Sequence, residues 1–155
     1  MHRGHHGREH GASAVEFALV LIPLVILVFG IIEFGLAFGR LQGMHAGARE
    51  GARLASLGRD VTTEQVEARV VDALPPLFAD PSADLVVTVT DNQGGSSWCD
   101  FEDDGEGPLP NELVRVTVTL SSNAAERYAI RIPFVNTDPA NYTAEGVFRC
   151  EAPKN

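Results

Sequence analysis

Apolar positions along this 155-residue chain are concentrated in one long block, followed by shorter periodic segments. From Phe17 to Gly39 the only charged side chain is Glu33. A helix of that length rises about 34 Å, enough to cross a bilayer core of about 30 Å. The pattern predicts a single spanning helix. A buried helix of a soluble protein is the first rival, but the remaining chain is small and acidic for wrapping such a segment on all sides. A secretory signal peptide is the second, because basic residues precede the run. Its apolar core would be about 7 to 15 residues and would be followed by a small-x-small cleavage site. Here the run is longer, and the small residues Gly11, Ala12, Ser13 and Ala14 precede it.

Beyond the block the pattern changes three times. Gly35, Gly39, Gly43, Gly47 and Gly51 are spaced by four, and Ala55 continues the series. On a helix these positions form one slowly winding ridge without side chains, which implies a helix packed along it. A chance alignment in an Ala/Gly-rich chain, or a flexible Gly linker, remains an alternative reading. Next, Thr62 with Gln65 three residues on has the spacing of a capping box, Val66, Val70, Ala73 and Leu74 share one face, and Pro75 stops the helix. Finally "LVVTVT" (85–90) and "LVRVTVTL" (113–120) alternate with period two, placing Val114, Val116, Val118 and Leu120 on one side. They read as two antiparallel strands. "YAIRIPF" and "YTAEGVFRCE" are weaker strand candidates, the first limited by Pro133 to an edge or a strand end. The expected fold class is α+β: a long N-terminal transmembrane helix extending into a small domain of one helix on a three- to four-stranded antiparallel sheet.

Charge narrows the function. The whole chain carries a formal net charge of −9, and residues 60–155 hold 17 Asp plus Glu against 6 Lys plus Arg. Such a domain repels phosphate backbones and anionic lipid heads, so no nucleic acid is expected as a partner.

Gly11 followed by Ala12, with Glu16 the fifth residue after the glycine and an apolar helix beyond, looks like the processing signal of type IV prepilins. "AVEFALVLIPLVILVFGIIEFG" resembles the N-terminal segment of TadE-like pseudopilins of tight-adherence (Tad) pili, and "TAEGVFRC" resembles the closing strand of that family. The resemblance implies a prepilin peptidase that cuts after Gly11, a leader of residues 1–11, and a new N-terminus at Ala12. It also implies other pilin or pseudopilin subunits and the Tad assembly machinery as partners. After cleavage the Ala12 amine would lie one helical turn from the Glu16 carboxylate, at the helix end whose dipole favours an acid. The two could pair within or between subunits; an ordinarily hydrated carboxylate at the interface is the alternative. Glu33 is harder to place, since a charge at the centre of a span costs about 2.5 to 3.5 kcal/mol on insertion scales. It reads either as an inter-subunit contact or as a side chain reaching the far interface. Pro23 removes a backbone donor inside the helix and should bend it.

The implied topology puts the C-terminal domain outside, although the Lys and Arg count opposes it: Arg3 and Arg8 stand on one flank against Arg40, Arg49, Arg53 and Arg59 on the other. Those four arginines are expected to pair with acidic neighbours in an assembly. Outside the membrane, Cys99 and Cys150 make a disulfide candidate, with two buried thiols as the other possibility. Three further signals are weak. Asp100, Glu102 and Asp104 precede Gly105 like the opening of a calcium loop, but Asn111 stands where the bidentate acid should be. A solvated acidic loop is the default, with no metal and no cofactor expected. His2, His5, His6 and His10 lie in the leader and His45 lies apart from any nucleophile, so no enzyme is expected. "NYT" at Asn141 is a glycosylation pattern that arises often by chance.

The expected organisation is therefore a leader over 1–11, a membrane and extended helix over 12–59 with its span at 17–39, and an extracytoplasmic domain over 60–155. The expected role is a structural minor pilin or pseudopilin. The alternative is an uncleaved single-pass protein whose outer domain binds a ligand or senses the envelope.

Overall fold

A computed structural model describes residues 9–58, 61–96, 98–99, 112–132, 135–137 and 142–151. Its backbone element is α1 (Glu9–Ala55), a 47-residue helix that continues through Pro23. At about 1.5 Å per residue it is roughly 70 Å long. Gly58, at φ 63°, ends it by donating to the Ala55 carbonyl at 3.1 Å. That left-handed conformation costs glycine nothing and other residues about 1 to 2 kcal/mol.

The two halves of α1 have different surroundings. Its most apolar 18-residue window has a mean hydropathy of 2.9 and is only 6% buried against protein. Val15, Phe17, Leu19, Ile22, Phe29, Ile31 and Phe38 are all more than half exposed there. A core helix of a soluble protein would bury such a stripe, so this half is built for an apolar solvent. The C-terminal half, by contrast, belongs to the core. Met44, Ala48, Ala52 and Ala55 are fully buried in one cluster with Val66, Val70, Val114, Val116 and Val118. This stretch of α1 packs in one unit with the chain beyond residue 60.

The remaining elements are α2 (Thr63–Asp72), α3 (Pro81–Asp84), β1 (Leu85–Thr90), β2 (Leu113–Leu120), α4 (Ser122–Arg127), β3 (Ile130–Ile132), β4 (Val135–Thr137) and β5 (Thr143–Arg149). The α2 helix starts as its sequence predicts: the Thr62 hydroxyl accepts from the Gln65 amide, and the Gln65 side chain accepts from the Thr62 amide. It ends at Asp72, three residues before Pro75. Three strands form one antiparallel sheet in the order β1-β2-β5, with Val87 opposite Val118 and Val116 opposite Gly146. Period two puts Val114, Val116, Val118 and Ala144 inside, while Arg115 and Glu145 pair at 2.6 Å on the outer face. "YAIRIPF" lies outside that sheet, and its strand ends at Ile132, the residue before Pro133. Its Ile130–Ile132 segment pairs with β4 in a separate two-stranded ribbon, which rests against α1. The α1 helix covers β5 and β2, and α2 lies alongside it toward β1, so two helices rather than α2 alone make the second layer.

Cys99 and Cys150 are bonded, with Cα atoms 5.4 Å apart and a sequence separation of 51. The bridge ties the segment after β1 to the end of β5, and half-buried Trp98 packs on the core beside it. Closing a loop of that size restricts the unfolded chain by about 4 kcal/mol. Changing both cysteines to serine should lower unfolding stability by about 2 to 4 kcal/mol, read as the denaturation midpoint of the full chain in detergent.

Candidate functional site

The chemistry-bearing residues singled out by the sequence fall on three levels of α1. At the start, Gly11, Ala12 and Glu16 lie in the first turns, all exposed, and a Cβ on Gly11 would meet nothing within 4 Å. Ala12 and Glu16 are one turn apart on one helix face. His2, His5 and His6 lie outside the described residues, and so does the side chain of His10.

At the second level, Glu33 is half-buried and shares a ridge with half-buried Gly30 and buried Ala37. Spacings of three and four put these on one face, and that face continues upward into Met44 and Ala48, which meet the sheet. Glu33 is therefore turned toward the domain's side of α1.

At the third level stands the glycine ladder. A Cβ added to Gly39 would come 2.9 Å from Leu77 Cδ1, one on Gly43 would come 2.7 Å from Pro75 Cγ, one on Gly47 would come 3.0 Å from the Val70 carbonyl, and one on Gly51 would come 2.6 Å from Val70 Cγ2. The strip from Gly39 to Gly51 is thus filled by the chain's own α2 and the segment that follows it. Gly35 alone of the five faces open space within 4 Å. An adjacent ridge is small for a different neighbour. Ala48 lies under β5, where the added Cβ of Gly146 would run into the Ala48 carbonyl group and come 2.7 Å from the Arg49 amide nitrogen. Glycine and alanine on two neighbouring faces make α1 thin enough to sit between α2 and the sheet.

Sequence reasoning missed the polar centre that holds the top of the span to the domain. Asp84, 1% exposed, accepts from the Tyr128 hydroxyl and from the Asp80 amide at 3.2 Å, and pairs with Arg127 at 2.6 Å. The Tyr128 hydroxyl in turn accepts from the Ala79 amide at 2.8 Å, and its ring meets the edge of Phe78. Over that ring lies Arg40, its guanidinium carbon 4.4 Å from the centroid, while its Nε donates to the Leu77 carbonyl at 3.0 Å. Asp80 before Pro81 was a legible helix start, but nothing local marks Asp84 as buried. The Gly146 signal was present: an isolated glycine in a strand pattern often marks a close backbone approach.

The arginines beyond the span are engaged within the chain to different degrees. Arg40 is held as described, Arg53 lies 3.6 Å from Glu50, Arg49 donates to the His45 carbonyl at 3.2 Å, and Arg59 lies outside the described residues. Asp100, Glu102 and Asp104 also lie outside them, as does Asn141. Among the described residues no group of three or more His, Cys, Asp or Glu could hold a metal ion.

No curated protein matches this chain, and no solved structure matches it. Residues 11–53 match the family model described as TadE-like protein, so the helix from the Gly11 segment through the packed glycine ladder is similar to that of a Tad pilus-associated, pilin-like family.

Proposed function

We propose that the chain is a structural minor pilin or pseudopilin of a Tad pilus, made as a precursor, cut after Gly11 by a prepilin peptidase and assembled through α1. The observation that carries this reading is the division of α1. One unbroken helix has an apolar half that buries almost nothing and a second half that forms the domain core, and the family match begins at Gly11. Such a helix can exchange lipid for neighbouring helices while the domain stays folded.

Glu33 gives the geometry a scale. If its carboxylate marks the far edge of the hydrocarbon, about 20 residues of helix bring the near edge to about residue 13. On that scale the Gly11–Ala12 bond would lie near the opposite membrane face, within reach of a peptidase acting there. The Cys99–Cys150 bridge supports a domain on the oxidising side of that membrane. Arg40, which opposes this orientation in the charge count, is sequestered by the Tyr128 ring and the Leu77 carbonyl once the domain folds. The role is structural, with the peptidase as the enzyme and this chain as its substrate.

Intact mass of the protein taken from membranes tests the reading. The expected species lacks residues 1–11 and begins at Ala12. Glu16→Ala should reduce incorporation into pili while leaving the disulfide-bonded domain folded. A full-length chain as the predominant species would favour an uncleaved membrane protein instead.

A further inference from the structure

One side of the domain carries a cleft of about 550 Å³ between α2, α3 and β1, the edge strand of the sheet among the described residues. Its lining is apolar at half-buried Val71 and Val87 and acidic at exposed Glu64, Glu67 and Asp72. None of these three acids is in an ion pair among the described residues. Glu64 keeps its charge to below the usual carboxylate range, because its own backbone amide and then the Thr62 hydroxyl bond the ionised form. Apolar walls beside exposed carboxylates suit one side chain in particular. Arginine lays a methylene stem on such a wall and presents a planar guanidinium to carboxylates.

The chain carries such residues on its opposite flank. Around α1, the glycine ridge faces α2, the Met44, Ala48 and Ala52 ridge faces the sheet, and the next ridge carries Arg49 and Arg53, one turn apart and exposed. The heights also correspond. Val66 and Val70 of α2 meet α1 at Gly51 and Gly47, so the acidic flank of α2 runs beside the stretch of α1 that bears the two arginines.

We propose that two copies of this chain, held side by side in one bilayer, dock laterally with Arg49 and Arg53 of one copy seated in the α2–β1 cleft of the next. The proposal rests on the reading that α1 spans the membrane, which sets both copies at one depth with parallel helices and brings the two flanks level without a vertical shift. The contact is head to tail, so each pair leaves one free cleft and one free arginine flank and can be extended. The bonds of Arg49 to His45 and of Arg53 to Glu50 are made at the exposed surface and do not remove either side chain from that flank.

Co-purification of two differently tagged full-length copies from membranes, in mild detergent, tests this. The wild-type copies are expected to recover each other, less so as salt rises from about 0.05 to 0.5 M. R49E/R53E alone and E64R/E67R alone should each lower recovery about tenfold, because like charges then face each other. Mixing the two variants should restore it, since the acidic α1 flank of one fits the basic cleft of the other. That restoration also shows that both variants fold. Recovery unchanged by either swap, or lost in both and not restored by mixing while the Cys99–Cys150 bond still forms, overturns the proposal. Neither outcome depends on leader removal or on pili, so failure here is distinguishable from failure of the pilin reading.

Discussion

Gly146→Val should be among the most destabilising single substitutions in the chain, lowering unfolding stability by about 3 kcal/mol or more. At this position β5 runs directly beneath α1, and the atoms that a Cβ would meet belong to the Ala48 carbonyl group and the Arg49 amide. Backbone cannot rotate away as a side-chain tip can. The helix would have to lift off the sheet, opening the core around Val116, which pairs with Gly146 and is fully buried. Three glycine-to-alanine changes calibrate the effect. Gly146→Ala already introduces the clash, Gly39→Ala meets only the Leu77 Cδ1 methyl, and Gly35→Ala meets nothing. Gly35→Ala should therefore be neutral or stabilising by up to about 1 kcal/mol through helix propensity. Denaturation midpoints of the four variants in one detergent give the order; a Gly146→Val midpoint close to that of Gly35→Ala would mean that α1 does not press on β5.

Asp84→Ala should cost about 2 to 4 kcal/mol. The loss comes from what the carboxylate leaves behind. The Tyr128 hydroxyl loses its acceptor in a buried setting, the Asp80 amide loses its own in a part-buried one, and Arg127 loses its counter-charge. Because half of the Arg127 side chain is exposed, water recovers part of that charge, which keeps the expected cost below that of a fully enclosed pair. Tyr128→Phe should cost less, about 1 to 3 kcal/mol, since it strands the Ala79 amide, whereas the Asp84 oxygen that loses the hydroxyl keeps the Asp80 amide. The double variant should lose less than the sum, as expected for groups sharing one hydrogen bond. Strict additivity would show that the two residues act independently. Hydrogen exchange at the top of the span would register the same network, because Arg40 reaches Tyr128 from α1.

Much of the local structure was legible in the residues. An uninterrupted apolar run, period-two alternation at 85–90 and 113–120, and the Thr62–Gln65 capping box are each set by interactions within a few positions, and all appear in the fold. The four-residue glycine spacing likewise announced a surface that something must approach closely. What approaches was not legible. A bare ridge accepts a helix of the same chain as readily as one from a neighbour, and the choice depends on where α2 returns after the turn at Gly58.

The chain's own order of residues determined that there would be a membrane-length helix, two strongly patterned strands and a capped second helix, because sterics, periodicity and hydration act locally. Tertiary packing alone decided that the upper half of α1 would serve as the core of the domain, that Gly146 would lie against its backbone, and that Asp84 would be buried with Tyr128 and Arg127. Those outcomes depend on volumes and hydrogen-bond partners supplied by segments as far as about 100 positions away, and no local pattern records them.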